Sequence, residues 1–385
     1  MLASLQLALD QRKADGLLRQ RRLLDSPQAE HIVANNKHFL SFCSNDYLGL
    51  ANHPKLIAAM QQAAQESGVG SGASNLITGH HRYHDELEKQ LAKFVELPAA
   101  LLFSTGYMAN IGVIGALMGR NDAVFADKLN HACLNDGAYF SHAEFHRFPH
   151  NDVDALEKLL QVSTAKHKLI AADAVFSMDG DIAPIPEYLA LCEKYDAYLY
   201  MDDAHGFGVL GEHGKGSLSH FKIKSPRIIM MATLGKAAGV AGAFVAGEQV
   251  VIDYLIQKAK SYVYSTPAPP ALSATLAASV RLIEQGDDLR AHLRMLINYF
   301  KSNLQTKKWQ LMPSDTSVQP LVVGGNQEAL ALSEYLQTCG ILVPAIRPPT
   351  VPVGTSRLRI SLSAAHSLDD IKQLIAALHQ AESVL

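Results

Sequence analysis

The stretch MMATLGKAAGVAGAF, residues 230–244, predicts a buried strand that runs into a turn of small residues around one lysine, Lys236. Burying an ammonium group costs several kcal/mol unless a partner compensates it, and no acidic residue lies within ten positions on either side. Desolvation lowers the pKa of a lysine, which makes its amine a usable nucleophile and lets it form an imine with a carbonyl compound. The stretch therefore predicts a reactive lysine at the end of a strand.

The segments around this strand alternate short apolar runs with helical patterns. Several of the runs are apolar on both faces, as in a sheet that is covered by helices on both sides. This alternation predicts an α/β fold with a mostly parallel sheet. The runs are AALLF, DAVFA, KLIAADAVF, AYLYMDDAH, RIIMMATLG and GAFVAG.

The pattern changes after about residue 280, where helical segments alternate with the strands VQPLVVGG and RLRISLS. This change predicts a smaller C-terminal α+β domain. The N-terminal stretch MLASLQLALDQRKADGLLRQRRLL is interpreted as an amphipathic helix with many charges. We therefore expect an N-terminal helix and strand segment over residues 1–45, a large domain over 46–280 and a small domain over 281–385.

The composition excludes several classes of protein. The chain has 385 residues, 48% of them hydrophobic, and a net charge of -3, so nothing attracts it in bulk to nucleic acid or to an anionic membrane. Its four cysteines form no Cys-x-x-Cys pair, which argues against a disulfide framework and a zinc site and favours a reducing compartment. The N-terminus lacks the apolar core of a signal peptide. We expect a cytoplasmic protein without a metal.

One uncharged segment, Ala99–Gly119, is long enough to span a membrane. Polar residues and a glycine interrupt it near its start, so we predict a strand over Ala100–Phe103, a turn and a buried helix that begins near Tyr107. Free backbone N–H groups at such a helix N-terminus bind anions, but most turns of this kind, here Ser104, Thr105 and Gly106, only cap the helix.

A second loop, YLYMDDAHGFGVLG, follows another strand and places Asp202 three residues before His205. The two side chains could face one ligand, hold a metal together, or leave Asp202 as the cap of a turn. Pyridoxal 5'-phosphate (PLP) requires a lysine for its imine, a carboxylate for its pyridinium nitrogen and a helix N-terminus for its phosphate. Lys236, the Asp202 loop and the Gly106 turn supply that set, and the small neighbours of Lys236 leave room for a ring.

At these residues the chain resembles the α-oxoamine synthase family of fold-type-I PLP enzymes, which condense an amino acid with an acyl thioester and release CO₂. The resemblance covers nearly the whole chain. It implies a PLP-dependent transferase fold whose large domain binds PLP. The segments that carry it are SFCSNDYLGLANHP, GVGSGASNLITGHHRYHDELEKQLAKF, DAVFSMDGDIAPI, YMDDAHGFGVLG, TLGKAAG and YVYSTPAPPA.

The C-terminal segment AIRPPTVPVGTSRLRISLSAAH is most similar to the branch of the family that uses L-alanine and a pimeloyl thioester in biotin synthesis. The thioester is carried by coenzyme A or by an acyl carrier protein. A sibling branch, which uses glycine and acetyl-CoA, is the first alternative. A non-catalytic subunit of the same fold is the second, although such subunits can lack the lysine that stands here at position 236.

The resemblance implies specific roles around the cofactor ring. Lys236 would form the Schiff base with PLP and act as acid and base at the α-carbon of the amino acid. Asp202 would pair with the pyridinium nitrogen, and Asp203 should point the other way because neighbours on a strand alternate. His205 and Ser177 would lie beside the phenolic oxygen, and His131 would stack on the ring.

The resemblance also implies a phosphate site. The backbone N–H groups of Gly106 and Tyr107 would bind the phosphate together with the hydroxyl of Thr233. Thr266, in YSTP, would reach the phosphate of a neighbouring subunit, which implies a homodimer with shared active sites.

Four further residues would bind the substrates. Arg347 would hold the carboxylate of the amino acid, with Asn45 nearby, because Pro348 favours an extended backbone from which an arginine can aim its planar fork. Arg19 and Thr350 would contact the acyl substrate, unless Arg19 belongs to a solvated helix face. His131 could instead be an ordinary core histidine, while Ser177 and Thr233 could be turn caps.

Overall fold

The computed structural model describes residues 1–385, which divide into two compact units. One unit contains Met1–Gly49, Met178–Asp181 and Ala291–Leu385, and the other contains Leu50–Ser177 and Ile182–Arg290. We refer to them as the terminal unit and the central unit. This division does not test the domain boundaries expected from the sequence, which remain a prediction.

The chain forms fourteen strands, most of them short. In the central unit, helices separate successive strands except the last two, in line with the alternating sequence pattern. The strands are β1 (His31–Ala34), β2 (Lys37–Ser41), β3 (Ala99–Phe103), β4 (Ala123–Asp127), β5 (Glu144–Phe148), β6 (Lys168–Asp173), β7 (Tyr198–Asp202), β8 (Ile228–Thr233), β9 (Ala243–Gly247), β10 (Gln310–Leu311), β11 (Val318–Gly324), β12 (Ile341–Leu342), β13 (Ala345–Ile346) and β14 (Ser356–Ser361).

Fourteen α-helices connect and follow these strands. A π-helical turn at Asn75–Gly79 and a 3₁₀ turn at Glu212–Gly214 supplement them. The helices are α1 (Leu2–Ala14), α2 (Pro54–Ser67), α3 (Arg82–Val95), α4 (Gly106–Leu117), α5 (Ala132–Ser141), α6 (Val153–Val162), α7 (Ile185–Lys194), α8 (Ser217–Phe221), α9 (Gln249–Lys258), α10 (Lys260–Val263), α11 (Pro270–Glu284), α12 (Asp287–Asn303), α13 (Asn326–Thr338) and α14 (Leu368–Val384).

The central unit is built on a seven-stranded sheet in the order β3-β9-β8-β7-β6-β4-β5. Strands β5, β4, β6, β7 and β8 run parallel, whereas β9 is antiparallel to both of its neighbours. All five residues of β4 and of β9 are buried, which explains why these runs are apolar on both faces. The prediction of an α/β fold with a mostly parallel sheet is confirmed.

The terminal unit holds the two smaller sheets. β10, β11, β14 and β13 form an antiparallel sheet, in which Val318 of β11 lies opposite Ser361 of β14. β1 and β2 form an antiparallel hairpin, and β12 extends it in parallel. The strands expected in VQPLVVGG and RLRISLS correspond to β11 and β14.

The N-terminal helix is shorter than the sequence suggested. Helix α1 ends at Ala14, because Gly16 adopts φ +65° and the N–H groups of Gly16 and Leu17 turn back onto the carbonyls of Lys13 and Arg12. None of its residues is buried, so the prediction of an amphipathic helix through residue 24 is wrong. Arg19 therefore lies beyond the helix and not on its charged face.

The uncharged segment Ala99–Gly119 folds as predicted into a strand, a turn and a helix. These are β3 and α4, and the helix begins at Gly106, one residue before the expected start. Val113 and Ile114 of α4 are fully buried in the apolar core beside the sheet. No helix in the structure has both the length and the apolar character needed to cross a membrane.

Candidate active site

A cavity of about 190 Å³ opens in the central unit at the carboxyl ends of three neighbouring strands. Asp173 ends β6, Asp202 ends β7 and Thr233 ends β8, and in parallel sheets this edge is where ligands bind. The N-terminal ends of α4 and α5 also border the cavity. The residues that line it are Gly106, Tyr107, Asn110, His131, Cys133, Asp173, Ser177, Asp202, Ala204, His205, Met231, Thr233 and Lys236.

Lys236 lies three residues after β8, and its Nζ is 2.7 Å from Nε2 of His205. Ala237 and Ala238 beside it are buried, and the carbonyl of Lys236 accepts a hydrogen bond from the N–H of Gly239 at 2.8 Å. Gly239 adopts φ +70°, and a Cβ there would come within 3 Å of the backbone of Leu50. The small residues after Lys236 thus form a tight turn that directs the amine into the cavity.

The carboxylate of Asp202 is held from two sides. Its Oδ2 accepts a hydrogen bond from Nδ2 of Asn110 at 2.7 Å, and its Oδ1 accepts one from the N–H of Ala204 at 3.0 Å. The side chain is 5% exposed, so both bonds lie away from bulk water. Asp202 therefore presents a fixed carboxylate at the floor of the cavity.

Asp203 points away from the cavity, as the alternation of strand neighbours predicts. Its fully buried carboxylate accepts hydrogen bonds from the N–H of Ser217 at 2.8 Å and from the hydroxyl of Ser217 at 2.5 Å. Burial raises the pKa of Asp203 to about 7, although both bonds from Ser217 act in the opposite direction. Asp203 therefore anchors the loop that follows Asp202 and does not line the cavity.

The N-terminus of α4 offers an anion site next to Thr233. The side chain of Thr105 accepts a hydrogen bond from the N–H of Met108 at 3.1 Å, and its carbonyl accepts one from Ala109 at 3.0 Å. This cap leaves the N–H groups of Gly106 and Tyr107 for a ligand. A Cβ on Gly106 would lie 3.8 Å from Cβ of Thr233, so the hydroxyl and the helix terminus are close together.

His131 caps α5 at the rim of the cavity. Its Nδ1 accepts a hydrogen bond from the N–H of Cys133 at 3.3 Å, so the proton of the neutral ring is on Nε2. The backbone N–H of His131 donates to the carboxyl group of Asp173 at 2.8 Å. Burial, and next the charge of Asp202, raise the pKa of Asp173 well above its ordinary value.

These residues fit PLP by the chemistry of their donor set. One cavity contains an amine on Lys236, a buried carboxylate on Asp202 and a helix N-terminus with free N–H groups. Those are the groups needed for an imine, for a pyridinium nitrogen and for a phosphate. A cluster of three or more metal-ligating side chains is absent from the structure.

Four of the expected substrate residues lie in the terminal unit. Arg19 donates from Nη2 to the hydroxyl of Thr350 at 3.3 Å. Arg347 donates from Nη1 to the carbonyl of Gly16, while its Nε is buried and has no acceptor. Asn45 accepts a hydrogen bond from Arg359 at 3.1 Å. The structure therefore pairs Asn45 with Arg359, a residue that sequence reasoning did not select.

Of the nine expected residues in the central unit, eight line its cavity and one does not. The exception is Thr266, which is exposed and borders a separate small pocket with Asn75 and Ser104. Sequence reasoning also missed Asn110, Cys133 and Asp173, which line the cavity. An asparagine inside an uncharged, buried helix was the available signal for Asn110. The residues brought together as expected are Gly106, Tyr107, His131, Ser177, Asp202, His205, Thr233 and Lys236.

Comparison with known proteins shows similarity over nearly the whole chain. The family model for aminotransferase class I and II matches residues 37–378. The 8-amino-7-oxononanoate synthase of Methylobacillus flagellatus is 57% identical over 382 residues, which cover 99% of this chain and 96% of that protein.

Solved structures with the same fold include two serine palmitoyltransferases. The enzyme of Sphingomonas wittichii superposes with a TM-score of 0.95 at 30% identity and covers 100% of this chain and 98% of its own. A serine palmitoyltransferase from S. paucimobilis with a bound PLP–myriocin aldimine gives a TM-score of 0.93 at 27% identity, covering 99% and 97% of the two chains. The similarity to these structures confirms the expected fold-type-I architecture.

Proposed function

The chain belongs to the 8-amino-7-oxononanoate synthases, which are PLP-dependent acyltransferases of biotin biosynthesis, and from that membership we propose its substrates and the roles of its residues. It condenses L-alanine with a pimeloyl thioester to give 8-amino-7-oxononanoate, CO₂ and the free thiol. The observation that carries the proposal is the single cavity that contains Lys236, Asp202, His205 and the N-terminus of α4.

PLP, when bound, withdraws electrons from the α-carbon of the amino acid. Lys236 would hold the cofactor and would move a proton at that α-carbon, because its amine is the basic group that the turn directs into the cavity. Asp202 would hold a proton at the pyridine nitrogen. His205 and Ser177 would hydrogen-bond the phenolic oxygen, and His131 would pack on the ring face with a proton available on Nε2.

The N–H groups of Gly106 and Tyr107 and the hydroxyl of Thr233 would bind the phosphate. Thr266 contributes to the phosphate site of a neighbouring subunit in a homodimer. The exposure of Thr266 and Tyr264, which is 81% exposed, supports this arrangement, because both residues stand outside the cavity of their own chain.

Four further residues, all of them in the terminal unit, are proposed to bind the substrates. Arg347 binds the carboxylate of alanine, and its buried Nε without an acceptor is the donor that supports this role. Asn45 lies nearby, bonded to Arg359. Arg19 and Thr350, which are hydrogen-bonded to each other, contact the acyl chain. The four unpaired cysteines favour a reducing compartment, and we place the reaction in the cytoplasm.

Substrate competition tests this assignment. Purified protein loaded with PLP is assayed with alanine or glycine against pimeloyl or acetyl thioesters, each on coenzyme A and on an acyl carrier protein. We expect the alanine and pimeloyl combination to give the highest kcat/KM. Preference for glycine with acetyl-CoA would assign the chain to the sibling reaction, and no turnover with any pair would indicate a non-catalytic subunit.

A further inference from the structure

The floor of the cavity rests on polar side chains to which the proposed function gives no role. The hydroxyl of Tyr200 donates to Oδ1 of Asn110 at 2.7 Å. Nδ2 of Asn110 donates to Oδ2 of Asp202 at 2.7 Å and to Sγ of Cys133 at 2.9 Å. These bonds join helix α4 to strand β7 and helix α5, so the network links three elements that meet below the cavity.

The network is buried, and hydrogen-bonding chemistry determines its orientation. Asn110 and Tyr200 are 0% exposed, so neither side chain is in contact with bulk water. The opposite orientation of the Asn110 amide would set its oxygen against the carboxylate of Asp202, which cannot donate when ionised. Burial, followed by the charge of Asp202, raises the pKa of Tyr200 well above its ordinary value, so its hydroxyl remains a donor.

The bond from Asn110 determines how the carboxylate of Asp202 is aimed. Oδ1 of Asp202 is held by the N–H of Ala204 in its own loop, and Oδ2 is held by Asn110 from α4. With one donor on each oxygen, rotation of the carboxylate breaks a buried hydrogen bond. The same helix begins at Gly106, where the phosphate site is proposed, and thus connects that site to the carboxylate.

We propose that Asn110, itself held by Tyr200, is a positioning residue that aims the Asp202 carboxylate at the ring nitrogen of the cofactor. The inference rests on the proposed function only in requiring that PLP occupies this cavity. Asn110 also lines the cavity, but in this role it acts through Asp202. Its effect should therefore disappear when Asp202 is changed.

The test measures PLP binding and the absorption spectrum of the bound cofactor. Asn110→Leu keeps the approximate size of the side chain and removes its three hydrogen bonds, and Tyr200→Phe removes only the supporting hydroxyl. Apoprotein is titrated with PLP, and thermal unfolding of each apoprotein reports folding. Tyr188→Phe is the matched control, because Tyr188 is also 0% exposed and bonds Asn151 outside the cavity.

We expect Asn110→Leu to weaken PLP binding about ten- to a hundredfold and Tyr200→Phe about three- to tenfold. Both should shift the visible absorption maximum in the direction that Asp202→Asn shifts it, whereas Tyr188→Phe should change neither quantity. In an Asp202→Asn background, Asn110→Leu should add less than twofold, because the two residues act as one unit.

Equal PLP affinity and equal spectra in Tyr200→Phe and Tyr188→Phe would overturn the proposal, and this comparison holds even if Asn110→Leu fails to fold. A full additional loss from Asn110→Leu in the Asp202→Asn background would also overturn it, since Asn110 would then act independently. Failure of the wild-type protein to bind PLP would instead refute the proposed function.

Discussion

Asp202 and Asp203 are adjacent in the chain, but their carboxylates lie in different surroundings and bond to different partners. Asp202 lines the cavity and is held by Asn110 and Ala204, whereas Asp203 is bonded by Ser217 and does not line the cavity. Glycines make this second site possible, because a Cβ at Gly206 or at Gly216 would collide with the carboxylate of Asp203. One strand end thus supplies a carboxylate to the cavity and an anchor to the following loop.

This relationship predicts opposite outcomes for two neighbouring substitutions. Asp202→Asn should still bind PLP but should lose on the order of a hundredfold in the exchange of the alanine α-proton with solvent, because the ring nitrogen loses its anionic partner. Asp203→Asn should retain exchange within several-fold, since its amide can still pair with both groups of Ser217. Proton exchange is measured without any thioester, so the assay reports only the removal and return of the α-proton of alanine.

If Asp203→Asn is the slow variant while Asp202→Asn exchanges at the wild-type rate, the role of Asp202 is assigned to the wrong residue. Thermal unfolding of both apoproteins serves as the control for folding. If Asp202→Asn does not fold, its loss of exchange is not informative. Asp202→Glu then replaces it in the assay, because this variant keeps the negative charge but displaces it.

Lys236 is predicted to be indispensable for turnover but not for folding. Lys236→Ala should lose all measurable activity and the visible absorption band of the lysine-bound cofactor, because no other amine lines the cavity. The variant should remain a folded dimer by gel filtration, since Lys236 is only half-buried and its neighbours Ala237 and Ala238 carry the packing. Lys260→Ala, outside the cavity, should keep both the band and the activity.

A wild-type band that persists in Lys236→Ala would show that another lysine attaches the cofactor. A colourless wild-type protein that PLP does not reconstitute would contradict the cofactor assignment as a whole.

Glu88 predicts a pH dependence of stability. Burial raises its pKa from 4.5 to about 7, while its Oε1 accepts a hydrogen bond from the N–H of Leu102 at 2.9 Å. The folded state therefore binds the proton more tightly than the unfolded state does. The stabilisation that Glu88 provides is complete below its ordinary pKa and is lost as the pH rises through about 7.

Glu88→Gln should remove this dependence, because the amide stays neutral and its oxygen still accepts the bond from Leu102. Relative to wild type, the variant should gain about 1–3 kcal/mol between about pH 5 and pH 8, seen as a rising difference in Tm of the apoproteins. Glu86→Gln on the exposed face of the same helix is the control and should show no such trend. A difference in Tm that stays constant across this range would contradict the prediction.

The sequence predicted the cavity well because its determinants are local. The strand before Lys236, the small residues after it and the Asp202 strand end can each be interpreted within about ten residues, and periodicity assigns them to one sheet edge. Asn110 could not be found in this way, because its partner Asp202 lies 92 positions away in the chain. Nothing in a single sequence links a buried amide to so distant a carboxylate.

The end of α1 was missed for a different physical reason. Leu17 and Leu18 continue the apolar pattern of the helix, so periodicity favours a longer helix even though Gly16 stops it. The proposed role of Thr266 would depend on a second chain, whose position no sequence pattern encodes. Arg359 was overlooked because it lies within a strand, where an alternating arginine usually faces solvent, whereas here it is 5% exposed.

The last prediction distinguishes two arginines of the terminal unit as candidates for binding the carboxylate of alanine. Arg347 has a buried Nε without an acceptor, whereas Arg359 bonds Asn45 at 3.1 Å and the hydroxyl of Ser361 at 2.8 Å. A carboxylate would satisfy the Nε of Arg347, so we expect Arg347→Lys to raise the KM for alanine about tenfold or more and to leave the KM for the pimeloyl thioester within threefold.

Arg359→Lys is the comparison in the same assay, with thermal unfolding to separate binding from folding. If Arg347 binds alanine, Arg359→Lys should lower Tm through the lost bonds to Asn45 and Ser361 and change the KM for alanine less than Arg347→Lys does. If Arg359→Lys instead raises the KM for alanine more than Arg347→Lys does, at an unchanged Tm, then Arg359 and not Arg347 binds the carboxylate of alanine. Asn45 would then be the partner of Arg359 in binding. Arg347 would then be left with its bond to the carbonyl of Gly16, which ties residues near the end of α1 to the loop before β14.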